Sequence, residues 1–211
     1  MPTHRDSIAQ PKTGLKMGLS CGHAERSFPM TGEFFLEMRE AKTGNILVQW
    51  SKKNLITLDA GILAARLFRD NREPNRGAYM LSIGTGATGS LLNPDLPDNR
   101  QRKLNSEISR KTFSAVTFRD TSGYAVAYPT NVVDFTTTFG ESEAVGALNE
   151  MGIISPVSDN PSTTNPNPNN FPTYDTTLDI TPYDIQINIL NFSVISKPST
   201  AILSVTWRLS F

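Results

Sequence analysis

The sequence has few of the residues on which most catalytic and metal sites depend. Its 211 residues include one cysteine, Cys21, and two histidines, His4 and His23. A single cysteine excludes an internal disulfide framework, and Cys21 and His23 lack the further thiols or imidazoles of a tetrahedral zinc site. A Ser-His-Asp triad would have to use one of the same histidines, and the chain has no G-x-S-x-G motif. We therefore predict no catalytic site, no metal site and no cofactor.

The chain also lacks long apolar runs and net charge. No run approaches the roughly 18–20 apolar residues of a membrane span, and residues 1–12 lack the apolar core of a secretory signal. We therefore expect no membrane partner and folding in a reducing cytoplasm. Lysine plus arginine and aspartate plus glutamate both number 20, which makes nucleic acid an improbable partner because binding it requires a basic face. Five scattered carboxylates could supply the acid pair of a glycan hydrolase, and their spacing favours no pair: Glu37, Glu107, Glu141, Glu143 and Glu150.

Apolar residues make up only 38% of the chain, against about 45–50% in an ordinary globular domain. The deficit lies in residues 1–31 and 156–177, which are rich in Pro, Gly, Ser, Thr and Asn. We predict that residues 1–31 form an extended N-terminal arm and that 32–211 form a single β-rich domain, from which the Asn/Pro-rich loop 156–177 projects. Each stretch is either a solvated segment or a contact with a neighbouring subunit. The arm residues that would dock are Leu15, Met17, Leu19 and Phe28.

Alternation of apolar and polar residues predicts strands over most of residues 32–211. The clearest signal is a hairpin formed by residues 33–40 and 46–51, with Gly44 in its loop and Trp50 anchored in the core. The other predicted strands cover residues 78–83, 113–120, 124–128, 131–139, 144–154, 176–180, 184–196 and 201–211. The pattern therefore predicts a mainly β fold, an antiparallel β-sandwich with one packed helix.

The one predicted helix follows residues 54–57 and ends before Pro74. Thr57 or Asp59 can cap its first turn. Because a helix of about three turns is marginal alone, we expect its apolar stripe to pack on the sheet. This stripe consists of Leu58, Ile62, Ala65 and Phe68, and is widened by Leu63 and Leu67.

Residues 84–89, GTGATG, follow a predicted strand and literally match G-x-G-x-x-G. Pro94 and Pro97 exclude the helix that a dinucleotide site requires after such glycines. We interpret the glycines as a close-packed turn with positive φ. The segment that follows, 99–111, is either a solvated face, a salt-bridged subunit contact with Glu107 and Arg110 as partners, or a phosphate or nucleic-acid contact. Its candidate interface residues are Arg100, Arg102, Lys103, Glu107 and Arg110.

The order of these signals resembles that of a family of small tailed-bacteriophage virion proteins. The resemblance spans roughly residues 33–211 and comprises a hairpin followed by five short motifs. These are N-L-I at 54–56 entering a helix with Gly61, I-G-T-G at 83–86, L-x-x-E-x-x-R at 104–110, E-x-G at 150–152 and L-x-V-x-W-x-L-x-F at 203–211. The long arm and the Asn/Pro-rich loop depart from the family's pattern.

This resemblance implies a structural subunit of the neck, collar, tail or baseplate, made in the cytoplasm of a bacterial host and located in the virion. Its partners would be further copies of itself, in a ring or a trimer, and other virion proteins such as the portal or connector, the tail or a fibre. The alternatives are a capsid decoration protein, a fibre or receptor-binding module, and a virion-associated glycan hydrolase.

Overall fold

Two antiparallel β-sheets pack together in the computed structural model, which describes residues 30–69, 77–156 and 184–211. This confirms the predicted mainly β, sandwich-like fold with one helix. Most of the predicted arm, most of the predicted loop 156–177 and the predicted strand 176–180 lie outside these residues. In chain order, the elements are β1 (Thr31–Glu40), β2 (Ile46–Lys53), β3 (Leu55–Ile56), α1 (Leu58–Arg69), β4 (Met80–Gly84), β5 (Glu107–Thr112), β6 (Ala115–Arg119), β7 (Ala125–Val126), β8 (Val132–Phe139), β9 (Gly146–Ser155), β10 (Ile185–Gln186), β11 (Asn188–Lys197) and β12 (Ala201–Ser210).

The first sheet has the strand order β2-β1-β12-β8-β6-β7. Its β1–β2 hairpin is the one that the sequence predicts, and Gly44 in the connecting loop has a φ of +73°. Strand β12 lies between β1 and β8, so that Thr31 pairs with Ser210 at one end and Leu203 pairs with Phe139 on the other side. The C-terminal strand is therefore held in the middle of the sheet, as its apolar face predicts.

The second sheet has the order β3-β11-β9-β4-β5, and β10 adds a short pairing with β9. Strand β9 runs through the middle, and its residues from Leu148 to Ser155 are all buried. Because both faces of this strand are covered, its sequence lacks clean alternation. The same sheet contains four of the five short motifs described above.

The core lies between the sheets, and an aromatic cluster fills one part of it. The ring of Phe34 lies 5.2 Å from that of Trp50 and 5.0 Å from that of Trp207, and Trp50 lies 5.4 Å from Phe192. Such centroid distances are those of favourable offset and edge-to-face aromatic pairs. The predicted role of Trp50 as a core anchor is confirmed.

Helix α1 has the predicted position and cap but the opposite orientation. The hydroxyl of Thr57 accepts the N–H of Ala60 at 3.3 Å and donates to the carbonyl of Ile187 at 3.0 Å. This attachment turns Ala60 and Leu63 into the core, where each is 3% exposed. The prediction is wrong for the four main residues of the stripe, which face outward, and right for Leu63, which widens it and is buried. The outward-facing residues are Leu58, Ile62, Ala65 and Phe68.

Candidate functional site

Three of the short motifs meet at one end of the second sheet. Strand β4 ends at Gly84, which pairs with Glu107 of β5 on one side and with Glu150 of β9 on the other. The segments 83–86, 104–110 and 150–152 are therefore neighbours in space although they are distant in sequence. We call Gly84, Gly86, Asn105, Ser106 and Glu150 the glycine-turn cluster.

The carboxylate of Glu150 lies at the centre of this cluster and is completely buried. Its Oε1 atom accepts the backbone N–H groups of Gly86 at 2.9 Å and Ser106 at 2.7 Å, and its Oε2 atom accepts that of Asn105 at 2.9 Å. Hydrogen bonds to an ionised acceptor are stronger than neutral ones. One side chain of β9 therefore holds together the turn after β4 and the segment before β5.

The glycines permit this arrangement through their small size. A Cβ atom at Gly84 would lie 2.4 Å from the carbonyl oxygen of Ser106, and one at Gly86 would lie 2.4 Å from the nitrogen of Ser106. The predicted close-packed turn is present, but the predicted positive φ occurs only at Gly89, at +91°. The tight positions are therefore glycine because the backbone of residues 105–106 approaches them closely.

Glu107 and Arg110 pair with each other inside the subunit. The Nε atom of Arg110 lies 2.5 Å from Oε1 of Glu107, and its Nη1 atom lies 2.7 Å from Oδ2 of Asp184. Both charged groups are buried, which is tolerable because the guanidinium binds two carboxylates. The sequence interpretation of 99–111 as one polar segment missed β5, in which Glu107 and Arg110 are buried. A direct contact of this pair with a neighbouring subunit stays a prediction.

The other candidate interface residues lie on the surface or outside the described part of the chain. Arg100, Arg102 and Lys103 are exposed. The Nε atom of Arg102 lies 3.3 Å from Oδ2 of Asp59, which places the basic segment beside the first turn of α1. The four arm residues lie outside the described residues: Leu15, Met17, Leu19 and Phe28.

A second charged cluster lies on the first sheet, where the sequence interpretation placed no site. Asp134 accepts hydrogen bonds from the Nε atoms of Arg208 at 2.7 Å and Arg119 at 2.8 Å. Burial acts to raise the pKa of Asp134, but the hydrogen bonds from Arg208 and Arg119 outweigh it and hold this pKa below its usual value. The guanidinium of Arg208 also lies 5.3 Å from the ring of Phe35. This cluster joins three strands across the sheet.

The ammonium group of Lys197 lies below the surface at the end of β11. It donates to the carbonyl oxygens of Gly140 and Ala201, each at 2.7 Å, and of Glu141 at 3.3 Å. Burial lowers the pKa of Lys197 to about 8, although the charges of Glu143 and Glu141 act to raise it. The hydrogen bonds of Lys197 therefore connect the β11–β12 turn to the segment after β8.

An open depression of about 570 Å³ lies on the first sheet near Phe35. Its lining combines aromatic residues with hydroxyl, amide and carboxylate groups, a mixture that suits polar ligands. Residues that line it include Phe35, Glu37, Gln49, Ser51, Ser204 and Thr206. The hydrogen bond from Arg39 to Glu37 lowers the pKa of Glu37, so this carboxylate is already engaged.

No protein-family model matches this chain, and no curated protein has a significantly similar sequence. Within residues 30–69, 77–156 and 184–211, no group of three or more His, Cys, Asp or Glu side chains is arranged to hold a metal ion. None of the helical residues described forms a segment long and apolar enough to span a membrane.

Proposed function

We propose that this protein is a structural subunit of a tailed-phage virion, located in the neck, collar, tail or baseplate, and that it assembles as a homo-oligomer. The observation that supports this best is the glycine-turn cluster. The motifs at 83–86, 104–110 and 150–152 carry the resemblance to virion proteins, and their residues bind each other through Glu150. Motifs that form one interacting unit support a shared fold better than three unconnected short matches would.

Exposed apolar surface supports the homo-oligomer. Half of the large apolar side chains exposed in the described part of the chain belong to α1 and the loop after β4. Apolar side chains concentrated in this way on a soluble protein mark interaction surfaces. The exposed basic residues Arg100, Arg102 and Lys103 border α1 and could add a charged rim. The apolar residues concerned are Leu58, Ile62, Leu67, Phe68, Leu91, Leu92 and Leu96.

The location of the protein on particles tests this proposal. Gold-labelled antibodies against the chain are applied to purified particles of the phage that encodes it, and the label is mapped by electron microscopy. We expect label at the neck, tail or baseplate. Antibodies against a non-structural protein of the same phage provide the control and should not bind. Abundant protein in infected cells without label on purified particles would reject the proposal, and label over the head would favour capsid decoration.

The depression near Phe35 favours one alternative, a receptor-binding module. Aromatic, amide and hydroxyl groups together are suited to binding glycans, through stacking on the ring and hydrogen bonds. Binding to arrayed bacterial surface glycans that is lost in Gln49→Ala, but retained in Thr138→Ala outside the depression, would support this role. Glycan turnover that one carboxylate substitution abolishes would instead identify a hydrolase.

A further inference from the structure

Helix α1 has a second apolar face, which points away from both sheets. Leu58, Ile62, Ala65 and Arg69 follow each other at intervals of four, three and four residues, the spacing of a seam between two packed helices. Leu58 and Ile62 are 53% and 52% exposed, and Ala65 and Arg69 are exposed as well. The core uses the opposite face. The outer seam therefore has the residue pattern of a helix–helix contact. Among the residues described, no other helix packs against it.

We propose that α1 of a second copy of this chain packs antiparallel on this seam, around a two-fold axis. Within the described residues α1 is the only helix, so the helical surface that can complete the contact is α1 of a second copy. This inference goes beyond the proposed function, because the pairing needs no virion. A ring or trimer would require an additional surface, since a two-fold contact closes on itself.

The shapes of the seam residues favour the antiparallel arrangement. With the axis between Ile62 and Ala65, each Ile62 lies opposite the Ala65 of the other copy. A large side chain then meets a small one at both positions, which lets the helix axes approach to about 8–10 Å. A parallel pair would place Ile62 against Ile62 and leave Ala65 facing Ala65, with a gap between them.

The charges on α1 favour the same arrangement. Asp59 lies in the first turn of the helix, whereas Arg66 and Arg69 lie in the last turn. Antiparallel packing brings Arg69 of one copy towards Asp59 of the other, which also lies 3.3 Å from Arg102 of its own chain, and it opposes the two helix dipoles favourably. A parallel pair would bring the two Arg69 side chains together.

Neighbouring apolar residues enlarge the contact beyond the seam. Phe68 is 86% exposed. The carbonyl of Asn99 accepts the N–H of Leu58 at 2.9 Å, and the carbonyl of Leu91 accepts that of Val194 at 2.8 Å. The loop between them, with Leu91, Leu92 and Leu96 exposed, thus borders the same sheet edge as α1. Phe68 alone can bury roughly 150–250 Å², and the exposed aliphatic side chains enlarge the contact towards the ~800 Å² that each partner contributes to a standard interface.

Sedimentation of the full-length protein tests the pairing. We expect reversible dimerisation within about 1 µM to 1 mM, the range of modest interfaces. Ile62→Asp should weaken association at least about 100-fold, because the symmetric contact contains this substitution twice. The matched control is Leu47→Asp on β2, where an aliphatic side chain is 49% exposed and association should not change. Circular dichroism and thermal unfolding establish that both variants fold. A monomeric wild type, or equal association of Ile62→Asp and wild type, would overturn the proposal.

Cross-linking tests the orientation. In a Cys21→Ser background, Ile62→Cys and Ala65→Cys proteins carrying tags of different mass are mixed and oxidised. The antiparallel pair predicts that the mixed covalent dimer dominates, because residue 62 faces residue 65. Predominance of the two homodimers would overturn it. Deletion of residues 2–29 should leave dimerisation intact. Loss of dimerisation would overturn the proposal, because these residues and not α1 would then make the contact. Failure of the sedimentation or the cross-linking prediction would not change the result expected from particle labelling, so the pairing and the virion proposal can be rejected separately.

Discussion

Substitution of Glu150 tests whether one buried carboxylate stabilises the glycine-turn cluster. Glu150→Gln preserves the shape of the side chain and replaces one acceptor oxygen by an NH₂ donor. With its oxygen at the Oε1 position, glutamine still accepts the N–H groups of Gly86 and Ser106, but its NH₂ group then faces the N–H of Asn105. Glu150→Ala removes both acceptor oxygens and with them all three hydrogen bonds. The two variants should therefore destabilise the protein to different extents.

The expected magnitudes follow from the number of hydrogen bonds lost. A hydrogen bond to a charged acceptor contributes about 1.5–3 kcal/mol, and the lower end applies here because the three N–H groups are only partly buried. We expect the free energy of unfolding to fall by about 2 kcal/mol in Glu150→Gln and about 4 kcal/mol in Glu150→Ala. For a domain of this size, these losses lower Tm by about 4–8 °C and 8–16 °C.

Urea unfolding measures these differences, with the fluorescence of the core residues Trp50 and Trp207 as the signal. The control is Glu141→Gln, because Glu141 is exposed and its substitution should change the free energy of unfolding by less than about 0.5 kcal/mol. A Glu150→Ala protein within about 1 kcal/mol of wild type would refute the assigned role. Equal losses in the two Glu150 variants would show that charge rather than acceptor number determines the effect.

Two further predictions concern glycine substitutions and a buried ammonium. Gly86→Ala should lower the free energy of unfolding by at least about 2 kcal/mol, because its Cβ would overlap Ser106. Gly61→Ala, in exposed helix with open space around it, should raise the free energy of unfolding by about 0.5–1 kcal/mol. Thermal unfolding compares the two variants, and effects of the same sign would contradict the close packing assigned to Gly86. The pKa of Lys197 lies at about 8 instead of 10.5, so the unfolded chain binds more protons between these values. Stability relative to Lys197→Met should therefore rise by up to about 3 kcal/mol from pH 8 to 10.5. If the difference in free energy of unfolding between wild type and Lys197→Met does not vary with pH, the lowered pKa of Lys197 would be contradicted.

Local sequence pattern was sufficient where both partners of an interaction are close in the chain. The β1–β2 hairpin was predicted because its alternation and its Gly44 loop lie within about 20 residues. Helix α1 was found from its period, but its orientation was not, because it has two apolar faces. What decides between them is the attachment of Thr57 to Ile187, which is 130 positions away.

The candidate site depends on such distant partners throughout. Glu150 binds N–H groups that are 44 to 64 positions away, and Arg110 reaches Asp184 across 74 positions. Strand β5 was missed because its buried charges resemble a surface segment until those partners are known. One local signal did exist for Glu150, which lies between Leu148 and Met151 in an apolar stretch. A carboxylate in that setting indicates burial, and burial requires hydrogen-bond donors.

The central position of β12 has a consequence for when the subunit can form. Strand β1 is made first among the described strands and β12 last, yet β1 needs β12 along its whole length, from Thr31 with Ser210 to Glu40 with Ala201. Until then β1 has only β2, and a two-stranded hairpin is marginal in water. We expect the first sheet to close only after β12 has been synthesised. A chain that ends before residue 201 would leave the sheet divided, with β1–β2 on one side and β8–β6–β7 on the other.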